Sequence, residues 1–142
     1  MMKAPFVQGY LGYLLGQANH ALYKGFDAQV RQAGLSSIEW RVLATLYDGT
    51  PLTVNELTAQ VLSKQPTVTK LVQRMAQSGS VELLADAADQ RRTLVAITPA
   101  GKKRVRPVVA AAQKHEAQVL RTLGAKDVDA LKQLLARLAA HS

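Results

Sequence analysis

Two helix-start signals within a dozen residues, followed by a change in hydrophobic period, constrain this chain more than anything else in it. Thr53 with Glu56 three residues later is a reciprocal capping pair, so a helix should open at Thr53 with Val54, Leu57 and Val61 on one face. The chain turns after Leu62. Ser63 is expected to cap a second helix, with Lys64 and Gln65 next and Pro66 still in the first turn, where a missing amide hydrogen costs little. Val68, Leu71, Val72 and Met75 then repeat at helical spacing, leaving Gln65, Thr67, Thr69, Lys70, Gln73 and Arg74 on the other faces. Ser78-Gly79-Ser80 ends that helix and the period drops to two. Val81–Ala85 reads as a strand, Asp86–Gln90 as a turn and Arg92–Thr98 as the returning strand.

No acidic residue falls between Glu56 and Glu82. A helix with one apolar face and an opposite face of Gln, Thr, Lys and Arg carries the groups that reach base edges and phosphates in a major groove. Alone, such a helix would read as a solvated surface element. The hairpin that follows it, with Asp89, Arg91 and Arg92 at or near its tip, turns the series into the outline of a winged helix-turn-helix. The expected DNA contacts are therefore Ser63, Lys64, Gln65, Thr67, Thr69, Lys70 and Arg74.

Charge agrees with that reading. Of a formal net charge of +8, the stretch from Thr50 to His115 carries +6, with ten Lys/Arg against four Asp/Glu. Positive charge is thus concentrated where counterion-releasing contact with double-stranded DNA would occur. An anionic membrane is disfavoured as a partner because these basic residues lie on a hairpin and beside capped helices, without the broad apolar face that membrane binding needs. At 142 residues the chain is expected to be a single winged-helix chain with one core. The absence of cysteine removes disulfides, cysteine metal sites and thiol sensing. His20, His115 and His141 show no metal-ligand spacing, so no metal or cofactor is expected. No phosphate loop or nucleophile motif occurs, and the one close carboxylate pair, Asp127 and Asp129, suits a helix start, so the chain is not read as an enzyme. The apolar stretch Ala4–Ala18 is interrupted by Gln8 and Gln17 and striped helically, against a secretion signal and for the cytoplasm.

Around this centre lie apolar helices. Val7, Leu11, Leu14, Leu15, Ala18, Leu22, Phe26 and Val30 predict one helix over 6–33, ended by Gly34, although Gly9, Gly12 and Gly16 within it require a close neighbour or an open gap. Ser36 and Glu39 cap the next, with Ile38, Val42, Leu43 and Leu46 inward; Pro51-Leu52-Thr53 supplies a short first strand. Thr98-Pro99 opens a long helix striped by Val105, Val108, Val109 and Val119, which Pro107 should kink. Its early basic group, Lys102, Lys103, Arg104 and Arg106, either touches the DNA backbone or is a solvated face. A last helix carries Val128, Leu131, Leu134, Leu135 and Leu138 on one side. The fold class is mainly α, a winged helix-turn-helix region over 35–98 with a three-stranded β-wing, flanked by helical segments 6–33 and 99–141. These flanks hold more apolar surface than one such domain can cover, which points to dimerisation with a second copy.

The run Asp89-Gln-Arg91-Arg-Thr-Leu-Val-Ala-Ile-Thr98-Pro99-Ala-Gly101 resembles the wing signature of the multiple antibiotic resistance regulator (MarR) family, an Asp-x-Arg, a strand, then Leu-Thr-x-x-Gly. Leu35-Ser-Ser-Ile-Glu-Trp40-Arg-Val-Leu and the Ser63–Leu71 run are similar to family stretches in the same order. The resemblance implies a homodimer on a pseudo-palindromic site, with Arg91 in the minor groove and Asp89 holding it. Leu83 and Leu84 stand where the family often has basic residues and Ala87 where proline is common, so wing-stem contacts should be weaker here.

The resemblance also implies a ligand-responsive regulator, most often a repressor released by a small, aromatic or heteroaromatic acid. Tyr13, Gly16, Gln17 and His20 share one helix face, and Glu39 and Trp40 open the next helix. Tyr13, Gln17, His20, Glu39 and Trp40 are the candidate effector-binding residues; the alternative is that they are interface residues with satisfied hydrogen bonds. A sequence-tolerant, nucleoid-like architectural DNA binder is the other functional class that the residues allow.

Overall fold

A computed structural model describes residues 3–141. In chain order it contains α1 (Leu11–Tyr23), α2 (Asp27–Gln32), α3 (Ser37–Leu46), β1 (Leu52–Thr53), α4 (Val54–Gln60), α5 (Gln65–Gln77), β2 (Val81–Ala85), β3 (Thr93–Ile97), α6 (Pro99–Val119) and α7 (Ala125–Ala139). Short 3-10 turns occupy Phe6–Gly9 and Leu120–Thr122. The mainly helical winged architecture expected from the sequence is present, with its three-stranded sheet.

The chain forms two compact units, one of Met1–Lys24 with Ala112–Ser142 and the other of Gly25–Ala111. Gly25–Ala111 holds the core: Val30, Val42, Leu43, Leu46, Leu57, Val61, Val68, Val72, Met75, Val81, Val95 and Val105 are each less than 2% exposed or at that level. Five of these, Leu57, Val61, Val68, Val72 and Met75, come from the stripes that defined the two central helices in the sequence. The sheet runs in the order β1-β3-β2, antiparallel throughout, with Leu52 opposite Val95 and Val81 opposite Ile97. β3 is central because its Val95, Ala96 and Ile97 are all buried, whereas β2 buries only Val81.

Two capping boxes form as their residues foretell. Ser36 Oγ accepts from the Glu39 amide at 3.2 Å while Glu39 Oε1 accepts from the Ser36 amide at 2.9 Å. Thr53 and Glu56 repeat the exchange at 3.1 Å in both directions. Thr98 accepts from the Gly101 amide at the head of α6, which stays helical from Pro99 to Val119 with Pro107 inside it.

Two expectations need correction. The helix expected over 6–33 is broken twice: Tyr10 is extended ahead of α1, and after Tyr23 the chain leaves the helix at Lys24 (ψ 127°) and Gly25 (φ +86°). Gly25 occupies the left-handed region that a side chain disfavours, so at the second break a backbone preference overrides a continuous apolar stripe. Ser63 does not cap the second central helix. Lys64 occupies the cap position, no side chain serves it, and the Ser63 amide turns back to the Thr58 carbonyl at 3.4 Å. Gly34, at φ +76°, ends α2 as its position foretold, with the Leu35 amide returning to the Val30 carbonyl at 3.1 Å. Arg104 is exposed, as a solvated face requires, and also donates through Nη2 to the Gly34 carbonyl at 2.8 Å and through Nε to that of Ala33 at 3.2 Å.

Gly101 fixes the root of the hairpin. A Cβ there would collide with the Ser80 carbonyl oxygen, so the backbone of α6 lies directly on the segment that enters β2. Thr98 adds two ties to the same segment, its amide to Ser80 O at 3.1 Å and its hydroxyl to Gly79 O at 2.5 Å.

In Met1–Lys24 with Ala112–Ser142, no described residue is buried. Lys132 Nζ meets Glu116 Oε1 at 2.6 Å, tying α7 to α6 and raising the lysine's pKa through that bond. A Cβ on Gly16 would meet nothing within 4 Å, so the open gap, not a close neighbour in this chain, is what the structure contains there. Among the described residues, no helix is long and apolar enough to cross a membrane.

Candidate nucleic-acid interface

The cap at Thr53 starts α4, the stripe Val68-Leu71-Val72-Met75 seats α5 on the core, and the β2–β3 hairpin projects its tip beside them. Gln65 and Thr69 from α5 and Arg91 from the hairpin line one concavity of about 450 Å³, together with Thr53, Val54, Asn55, Glu56, Arg92 and Thr93. Three of the expected contact residues, two from α5 and one more than twenty positions further on, therefore share a single surface. Thr67, Lys70 and Arg74 line a second, shallower groove along α5 with Gln73 and Gln77, of about 580 Å³. Lys64 is exposed at the helix entry; Ser63 is half-buried in the turn before it.

Sequence reasoning missed Asn55, Arg92 and Gln77 as members of these walls. Gln77 was legible, because it continues the stripe Lys70-Arg74 by three residues. Asn55 was not, since nothing in its own helix pattern reveals that the hairpin stands opposite.

At the hairpin tip Asp89 organises the cations. Its Oδ1 accepts from the Arg91 amide at 3.0 Å and from Arg91 Nε at 3.2 Å, its Oδ2 from Arg91 Nη2 at 3.4 Å, and Arg92 Nε lies 3.6 Å from Oδ2. The Arg91 side chain is nevertheless 92% exposed. Such a surface pair contributes little to stability, but it restricts a long side chain to outward-pointing rotamers. The Arg91 hydrogen bonds hold the Asp89 carboxyl below its ordinary range, with Arg92 assisting. Glu56 is likewise lowered, first by the Thr53 amide that it caps, and more weakly by the nearby Arg92. Both carboxylates therefore stay charged at neutral pH and temper an otherwise cationic wall.

The candidate effector-binding residues fall on two elements. Tyr13, Gln17 and His20 lie along α1, all exposed. Glu39 and Trp40 open α3, half-buried, with Glu39 engaged in its capping box and Trp40 edge-on to Phe26 at a ring separation of 5.3 Å. Among the described residues no group of three or more His, Asp or Glu side chains could hold a metal ion.

An antiparallel hairpin beside a helix-turn-helix, with cations and amides on the outward face, defines a winged-helix DNA-binding protein. Residues 33–92 match the MarR family model. The chain is 33% identical to the MarR family transcriptional regulator SPO1453 from Silicibacter pomeroyi, covering 95% of this chain and 99% of that one with a TM-score of 0.80. It is also 28% identical to the HTH-type transcriptional regulator FarR of Neisseria gonorrhoeae, over 87% of this chain and 84% of the relative. NadR, solved in complex with 4-hydroxyphenylacetate, superimposes with a TM-score of 0.87 at 27% identity, covering 97% and 98% of the two chains. The chain thus belongs to the MarR family of transcriptional regulators, and its relatives regulate transcription rather than catalyse reactions.

Proposed function

We propose that this regulator is a homodimeric, ligand-responsive repressor that acts in the cytoplasm on a pseudo-palindromic operator. The observation that carries the DNA-reading half is the shared concavity of Gln65, Thr69 and Arg91, which joins a recognition helix to a wing. Gln65, Thr67 and Thr69 offer side-chain donors and acceptors to base edges in the major groove; Ser63, Lys64, Lys70 and Arg74 serve phosphates and the flanking bases. Arg91, oriented by Asp89, enters the adjacent minor groove. The exposed apolar rows of α1 and α7 support the dimer, which would carry two such heads to successive grooves on one side of the duplex.

The effector-responsive half rests on chemistry. NadR was solved with a phenolic carboxylate, and this chain has a phenol, an amide and an imidazole on α1 and an indole at the head of α3. Tyr13, Gln17, His20, Glu39 and Trp40 are the residues through which a small aromatic or heteroaromatic acid would act. Footprinting of the purified protein on the DNA flanking its own gene tests the operator: one protected inverted repeat is expected, while uniform protection would mean a sequence-tolerant architectural binder. Tryptophan fluorescence and release of that DNA, titrated with 4-hydroxyphenylacetate and related acids, test the effector; no change in either signal with any of them would remove it.

A further inference from the structure

The turn between α4 and α5 is held from outside itself. Arg41, in α3, donates from Nη1 to the carbonyl of Val61 at 2.8 Å. That carbonyl closes α4 and has no partner within its own helix. The next residue, Leu62, is the one described non-glycine residue at positive φ, +55°, and its side chain is 85% exposed, so no burial offsets the unfavourable backbone. Lys64 then enters α5 with no side-chain cap. Within the turn the remaining tie is the long 3.4 Å bond from Ser63 to Thr58. The connection, left-handed at a non-glycine residue and without a side-chain cap on α5, is therefore fixed from outside by one charge-assisted hydrogen bond from a neighbouring helix.

Arg41 is an unusual choice if only stability mattered. Its Nε is buried without a hydrogen-bond partner, and no carboxylate lies within ion-pair distance among the described residues. Arg41 is half-buried, and a guanidinium with one buried, unpartnered N–H contributes less to stability than a fully paired one. What it supplies is a fixed point for the carbonyl from which α5 departs.

We infer that Arg41 is a positioning residue for DNA reading: by anchoring the Val61 carbonyl it sets the angle at which α5 presents Gln65, Thr67 and Thr69. This rests on the proposal that α5 reads DNA. Base-edge hydrogen bonds require closely defined geometry, whereas phosphate attraction tolerates a tilted helix. Loss of the anchor should accordingly lower the preference for operator over random DNA without lowering affinity for random DNA.

Operator and random-duplex affinities of the full-length wild type, Arg41→Met and Arg41→Met/Leu62→Gly, measured at one salt concentration, test this. A wild type that does not discriminate the two duplexes would defeat the DNA-reading proposal itself. Given discrimination, Arg41→Met is expected to reduce the operator-to-random ratio by about tenfold, the equivalent of one base contact, with random-DNA affinity held within about twofold. Leu62→Gly, which removes the backbone strain that the anchor opposes, is expected to restore most of the ratio. An unchanged ratio in Arg41→Met, or an equal fall on both duplexes, overturns the inference. Should Arg41→Met fail to fold, the double variant decides: a ratio near wild type supports the role, and a low ratio or a second failure to fold overturns it.

Discussion

Apolar stripes mark the helices of Gly25–Ala111 and the terminal helices alike, with opposite fates. Among the described residues, every buried hydrophobic one lies in Gly25–Ala111, while Phe6, Tyr10, Leu11, Tyr13, Leu14, Leu131, Leu134, Leu135 and Leu138 stand 39–77% exposed outside it. Apolar periodicity therefore shows which face of a helix will be covered, but not by what. In the winged unit the covering surface is the same chain; for α1 and α7 we assign it to a second copy.

Four changes would break or sharpen that contrast. The largest effect is expected from Leu134→Glu on α7: the dimer should dissociate and operator binding should be lost with it, while heteronuclear spectra of the winged unit stay in place. Sedimentation at several concentrations measures this, and a variant that remains dimeric would refute the assignment. Second, Leu43→Ala, fully inside the winged core, should cost about 2–5 kcal/mol in chemical denaturation, because a void remains where Leu43 had packed. Third, Arg91→Ala should weaken operator and random DNA alike and reduce the salt slope of binding by roughly one, with the dimer intact.

The smallest effect concerns pH. Asp89 has a depressed folded pKa, so its contribution is present above the unfolded value and is lost as pH falls through the folded one. Its carboxyl resonance should titrate below the ordinary aspartate value, and Arg91→Ala should move the midpoint upward. A midpoint already at the ordinary value would mean that Asp89 does not orient Arg91 in solution.

Legibility in the sequence followed the range of the interactions involved. The capping boxes at Ser36 and Thr53, the hairpin strands and the inward stripe of α5 depend on residues a few positions apart, and each appears where its pattern puts it. The misreadings were of another kind. Gly25 stops a stripe that periodicity alone would continue, and the tie from Arg104 to the Gly34 carbonyl spans seventy positions, which no local pattern contains. Ser63 had the right chemistry for a cap but sits one residue early, because the left-handed turn at Leu62 shifts the helix start. The concavity was half readable: the α5 residues could be named, but their meeting with Asn55 and Arg92 depends on tertiary placement.

The contact between Gly101 and Ser80 gives the hairpin the mechanics of a cantilever. With that end held, any bending of the hairpin is expected to grow along β2 and β3 toward Arg91. Under the proposed reading, the Arg91 guanidinium would seek its seat in a narrow groove from strands that stay registered at their base.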